Sequence, residues 1–94
     1  MEAIDRKFNL LAVNPCKKGA VYTEMDGMFF AAKDKALVPT LEAYRTECGK
    51  LGCGAEHIES ISLLIDRVTE YQKLHCRIPD TETECEIDRC IGGK

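Results

Sequence analysis

The sequence predicts an α+β protein, mostly α. Its dominant element is an antiparallel helical hairpin over residues 23–76, with a small N-terminal β-hairpin (8–22) and a short C-terminal helix (80–91), all in one 94-residue domain. Three observations carry this reading. Met25, Phe29, Ala32, Ala36, Leu37, Leu41, Tyr44, Cys48 and Leu51 recur at steps of three and four, with one adjacent pair, which places them on one helix face. Ile58, Ile61, Leu64, Ile65, Val68, Tyr71 and Leu74 repeat the pattern. Between the two stripes lies Gly49-Lys50-Leu51-Gly52-Cys53-Gly54, too short for anything but a tight reversal, so the helices are antiparallel and their apolar faces meet.

Taken in order, the chain opens with residues 1–7, expected to fray. Phe8-Asn9-Leu10-Leu11-Ala12-Val13 has strand character. Asn14-Pro15-Cys16-Lys17-Lys18-Gly19 reads as a turn, since Pro fixes φ and Gly accepts positive φ. Ala20-Val21-Tyr22 returns as a second strand. Thr23 is a good N-cap for the first helix, and Asp26 stands where a capping box has its acid. Gly27 weakens that first turn. Pro39 interrupts the stripe: it either kinks the helix or breaks it, and in the second case it starts a new helix near its favoured first position. Gly52 suits the helix C-terminus. The second helix runs from about Ala55 to about Cys76, with Leu64 expected in the seam and Leu63 off it. Pro79 ends helical continuation. Thr81-x-x-Glu84 is a capping-box spacing for the last helix, which Gly92-Gly93 stops.

The formal net charge is −3, with both signs interspersed, so general nucleic-acid binding through a basic face is disfavoured. No apolar run approaches the length of a membrane span. The N-terminus, Met1-Glu2-Ala3-Ile4-Asp5-Arg6-Lys7, does not resemble a secretory signal. A cytoplasmic location is therefore expected, and with it reduced thiols at Cys16, Cys48, Cys53, Cys76, Cys85 and Cys90. The even number of cysteines would also suit a disulfide framework in an oxidising compartment.

The chemistry-bearing patterns are few. Cys48-x4-Cys53 and Cys85-x4-Cys90 are similarly spaced pairs, and a zinc site would use those four residues. The spacing is at the loose end of zinc knuckles, so no metal or other cofactor is expected, and a zinc-stabilised Cys/His module stands as the alternative. Cys53 and His57 form a thiol–imidazole pair without the third orienting group or oxyanion site that nucleophilic catalysis needs, so no enzyme is expected. The G-x-x-G of the interhelix turn lacks the following Lys-Ser/Thr of a phosphate loop and reads as a helix cap. Lys17, Lys18, Tyr22 and Arg67 are the candidate ligand-binding residues, cationic and aromatic groups suited to a small anion held between chains; taken singly, each is an ordinary surface side chain.

Phe8–Pro15, the run Tyr22-Thr23-Glu24-Met25-Asp26-Gly27-Met28-Phe29-Phe30, the hairpin, and the closing Cys85-Glu86-Ile87-Asp88-Arg89-Cys90-Ile91-Gly92-Gly93 resemble a recurrent type of small phage or prophage protein. In element order the chain is also similar to the helical-hairpin phage sponge proteins that sequester cyclic-nucleotide immune signals between subunits. The second-helix sequence of that family is not matched, so no binding residue is carried over. The resemblance implies a non-enzymatic, self-associating binding protein that inhibits or sequesters a host defence factor or signalling nucleotide, in the cytoplasm of the host cell. Outward apolar positions at Phe30, Val38 and Leu63 are expected to favour a homo-oligomer.

Overall fold

Backbone hydrogen bonding in a computed structural model, which describes residues 2–92, yields the expected fold class: an antiparallel two-stranded hairpin, a packed helix pair and a short C-terminal helix. The elements are β1 (Leu11–Val13), β2 (Val21–Thr23), α1 (Leu37–Lys50), α2 (Ala55–Gln72) and α3 (Glu84–Ile87), the last followed by a π-helical turn, Asp88–Gly92. They fall into two compact units. The described residues up to Phe29 and from Asp80 onward form a terminal unit, and Phe30–Pro79 form a hairpin unit.

In the hairpin unit, α1 begins at Leu37, fourteen residues after the expected Thr23 cap (37 − 23). The break at Pro39 is the reason. Pro39 is the third helical residue, so its missing N–H is one of the first-turn donors that have no intrahelical partner, and the carbonyl its ring would crowd lies outside the helix. Asp34 leads into the helix: its carboxylate accepts from Ala36 N–H at 2.8 Å and its carbonyl from Leu37 N–H at 3.0 Å. The seam is built by Cys48, Ile61 and Ile65, with Val38, Leu41, Cys53 and Ile58 packed against them; Leu37 and Val68 are also buried. Val38 therefore packs inward, contrary to the outward position read from sequence. Leu64 moves the other way: it is 44% exposed, because Ile61, Ile65 and Val68 already fill the face towards α1. Beyond the helices, Arg77 N–H donates to the Lys33 carbonyl at 2.8 Å and Lys35 N–H to the Arg77 carbonyl at 2.9 Å, while the Gln72 amide donates to the carbonyls of Ala32 and Asp34. These bonds tie the segments flanking the helix pair together, and α2 ends at Gln72, before the expected Cys76.

The terminal unit has polar joints in place of a core. β1 pairs with β2 in the register Leu11↔Thr23, Ala12↔Tyr22, Val13↔Val21. Gly19, at φ +85, closes the loop between them. The Thr23–Asp26 cap chemistry exists without a helix: Thr23 N–H donates to the Asp26 carboxylate at 2.9 Å and Gly27 N–H to the Thr23 carbonyl at 2.8 Å. One turn later the chain leaves, because the Phe29 N–H that would extend a helix goes to the Asp5 carboxylate at 2.7 Å. Asp5, 6% exposed, also accepts from the backbone N–H groups of Phe8 and Lys7, and Ile4 and Asp5 N–H donate to the Glu24 carbonyl, so the expected frayed start is held at those residues. Phe8 and Phe29 meet edge to face at 5.0 Å between centroids. Lys7 pairs with Glu86 at 3.0 Å, and Arg89 donates to Asn9 at 2.9 Å, which fastens the C-terminal segment. The N-cap of α3 is Thr83, two residues after the expected Thr81: its hydroxyl accepts from Glu86 N–H at 3.1 Å. Both spacings occur in the sequence, and the later one places Glu86 where it also pairs with Lys7. Gly93, expected as part of the stop, lies outside the described residues.

Two predictions follow from this packing. Ile65→Asp should cost roughly 4 kcal/mol or more by burying an unpaired charge and abolish the helical circular dichroism signal, whereas Leu64→Asp should cost the chain's own fold less than about 1 kcal/mol. Burial raises the Asp5 pKa, but the N–H groups of Phe8, Lys7 and Phe29 outweigh it and hold the carboxyl below its ordinary 3.8. The hydrogen bond from Leu10 N–H lowers Glu24, and the Lys7 ammonium lowers Glu86. Groups depressed in the fold stabilise it fully above their unfolded pKa values, and that stability is lost as pH falls through the folded ones. The urea midpoint should therefore drop on acidification below about pH 4, and drop less in Asp5→Asn.

Candidate functional site

The interhelix turn is where reactive side chains converge, and the turn's own hydrogen bonds are the cause. Leu51 caps α1 after Lys50, and Gly52 follows at φ +80, a left-handed conformation that glycine adopts without the Cβ penalty. Gly52 N–H donates to the Gly49 carbonyl at 3.2 Å, and Cys53 N–H to the Cys48 carbonyl at 3.0 Å. This pair of bonds is the Schellman motif, which characteristically brings the second residue past the helix end against the third-last residue inside it. Here those two residues are Cys53 and Cys48. Gly54 is then the N-cap of α2, and His57 N–H donates to the Gly54 carbonyl at 3.0 Å, placing the imidazole on the first turn of α2 above the same corner.

The result is a three-residue cluster. One ligand atom each from Cys48, Cys53 and His57 lie within 4.8 Å of one another, and among the described residues no other group of three His, Cys, Asp or Glu side chains does so. Cys48 is buried at 4% exposure, Cys53 is half-buried and His57 is exposed. The Tyr44 ring meets the imidazole edge-on at 6.4 Å between centroids. Burial, with a hydrogen bond to Cys48, pushes the Cys53 thiol pKa up. The Tyr44 phenol is pushed up chiefly by its hydrogen bond to Cys48. A Cys53 thiol shifted in that direction is a poor nucleophile at neutral pH, the opposite of the depressed values at reactive cysteines. The geometry thus offers soft ligand atoms without an activated nucleophile.

The sequence-predicted site residues are divided between the two units. Cys48 and Cys53 belong to the hairpin unit; Cys85 on α3 and Cys90 in the π-helical turn belong to the terminal unit. Lys17 and Lys18 are exposed at the tip of the β-hairpin loop, where Lys17 N–H donates to the Asn14 carbonyl and its own carbonyl accepts from Ala20 N–H. Tyr22 is exposed on β2 opposite Ala12, in the same unit. Arg67 is exposed on α2, in the hairpin unit. All six cysteines are free thiols. Sequence reasoning paired His57 with Cys53 alone and did not join it to Cys48. The spacing Cys48-x4-Cys53-x3-His57 was legible, but only the left-handed turn at Gly52 folds those positions onto one another. Compared with known proteins, the chain matches no family model, no curated protein and no solved structure.

The turn makes its own prediction. A Cβ at Gly52 would meet no neighbour within 4 Å, so Gly52→Ala pays only for the left-handed backbone, about 1–2 kcal/mol. Gly54 sits at φ −61 with no side-chain cap, so Gly54→Ser should be neutral or slightly stabilising. Urea unfolding of the two variants should separate them in that order.

Proposed function

We propose that the chain is a non-enzymatic binding protein that acts as a self-associated helical hairpin, its partner being a second copy of itself. The observation that carries this is the outer face of α2. Leu63 is 55% exposed and points away from the seam, and Leu64 and Tyr71 are exposed beside it. Arg67 stands four residues beyond Leu63 and Glu59 four residues before it. An antiparallel two-fold pairing centred on Leu63 sets each Leu63 against its counterpart. It also sets each Glu59 opposite an Arg67, twice by symmetry. Self-complementarity of that kind favours a second copy over an unrelated partner. Exposed Phe30, Tyr44 and Leu51 add apolar surface to the same unit.

The resemblance to phage sponge proteins supplies the class of target, a host defence factor or a signalling nucleotide. Lys17, Lys18 and Tyr22 at the exposed β-hairpin are the residues proposed to meet an anionic one, and Arg67, in the other unit, is assigned to the self-association face. Among the described residues no helix is long and apolar enough to cross a membrane.

Sedimentation at micromolar concentration should give a dimer. Leu63→Asp should convert it to a folded monomer. Arg67→Glu should weaken it, and adding Glu59→Arg should restore it. A strictly monomeric wild type, or a dimer indifferent to Leu63→Asp, overturns the reading. A thermal-shift screen with cyclic nucleotides, beside a pull-down from host lysate, distinguishes a small-molecule target from a protein one.

A further inference from the structure

We propose that Cys48, Cys53 and His57 form a binding site for a borderline-soft divalent cation of the zinc class. In it two thiolates and one imidazole occupy three tetrahedral positions and solvent takes the fourth. The donor set is the first argument. Sulfur and imidazole nitrogen are the ligands such ions take, and the local spacing Cys-x4-Cys-x3-His keeps all three on one turn of chain. Geometry is the second. With zinc–sulfur bonds near 2.3 Å and zinc–nitrogen bonds near 2.0 Å, tetrahedral ligand atoms stand roughly 3.5–3.8 Å apart. Ligand atoms that already lie within 4.8 Å reach this by side-chain rotation and small shifts, with no change in the helix pair. Preorganisation is the third. The Schellman bonds hold Cys48 against Cys53 whether or not an ion is bound, so little ordering is left for the ion to impose.

The burial gradient decides the coordination. Cys48 is enclosed by the seam and Cys53 by the turn, while His57 is exposed. A cation seated here is covered on the thiolate side and open on the imidazole side, which leaves the fourth position to water. Tyr44, edge-on to His57, borders that opening. On binding, each thiol releases its proton to solvent as its sulfur bonds the cation, and the neutral imidazole donates a lone pair. Two protons leave, and nothing is oxidised or reduced. This set differs from the four-cysteine grouping Cys48, Cys53, Cys85 and Cys90: it needs nothing from the terminal unit. The self-association variants at Leu63, Arg67 and Glu59 leave all three of these ligands in place.

Cobalt(II) added to the reduced, metal-free full chain tests the site. One equivalent per chain should produce a thiolate-to-cobalt charge-transfer band together with d–d bands of tetrahedral intensity, and zinc should bleach both. Cys53→Ser and His57→Gln, at half-buried and exposed positions where the fold is expected to persist, should each lose the tetrahedral spectrum. Cys85→Ser and Cys90→Ser should keep it. Thiol footprinting of the wild type covers the case in which a variant fails to fold: zinc should shield Cys48 and Cys53 from alkylation and leave Cys16, Cys76, Cys85 and Cys90 reactive. Absence of the charge-transfer band in the wild type overturns the site. So does its survival in a folded Cys53→Ser variant, its loss in Cys85→Ser or Cys90→Ser, or equal alkylation of all six thiols with zinc present.

Discussion

The left-handed backbone at Gly52 is the constraint on which the hairpin unit depends. It lets the last carbonyls of α1 accept from Gly52 and Cys53, and it turns the chain sharply enough for α2 to run back along α1. Once the reversal is made, Ile61 and Ile65 land on Cys48, with Leu41 and Ile58 beside them. The same turn stacks the two thiols and aims His57 at them. Structure and candidate chemistry in this unit therefore share one cause, and a residue that cannot adopt positive φ disturbs both.

The terminal unit is organised by a different kind of force. It contains a short strand pair that would be marginal alone, and its largest side chains stay partly exposed. Its joints are hydrogen bonds to carboxylates: Asp5 gathers the N–H groups of Lys7 and Phe8 from its own segment and of Phe29 from a distant one, and Glu24 takes a fourth from Leu10. A buried carboxylate is tolerable only because those donors replace the water it lost. Among the described residues no buried side-chain polar atom is left without a partner, which is what such a thin assembly requires.

A helix pair has one seam, and this chain spends few residues on it. That leaves α2 with apolar side chains facing outward and leaves the interhelix corner open on the imidazole side. The first feature suits association with a second copy, the second a bound cation. The first is centred on Leu63 near the middle of α2 and the second on His57 in its first turn, and the experiments for each read different variants.

Periodicity alone determined that the chain makes two antiparallel helices with a glycine turn, since a step of three and four sets the apolar residues on one helix face, but it did not fix where the first helix starts: Met25, Phe29, Ala32 and Ala36 share the step and are not helical. The β-hairpin was legible for a similar reason, in the Pro and Gly of its loop. What only tertiary structure decided were the choices between locally equivalent options. Thr23 and Asp26 carry good cap chemistry, yet the helix starts at Leu37 because Asp5 captures the Phe29 N–H and Pro39 fits only a first turn. Thr81 and Thr83 offer the same cap spacing, and the fold uses Thr83, whose Glu86 also pairs with Lys7. Leu64 and Ile65 are adjacent and equally apolar, and only the facing surface of α1 decides that Ile65 is buried while Leu64 is not. Cys48, Cys53 and His57 were visible as residues but not as a cluster, because their meeting depends on a backbone angle at Gly52 that the sequence permits without requiring.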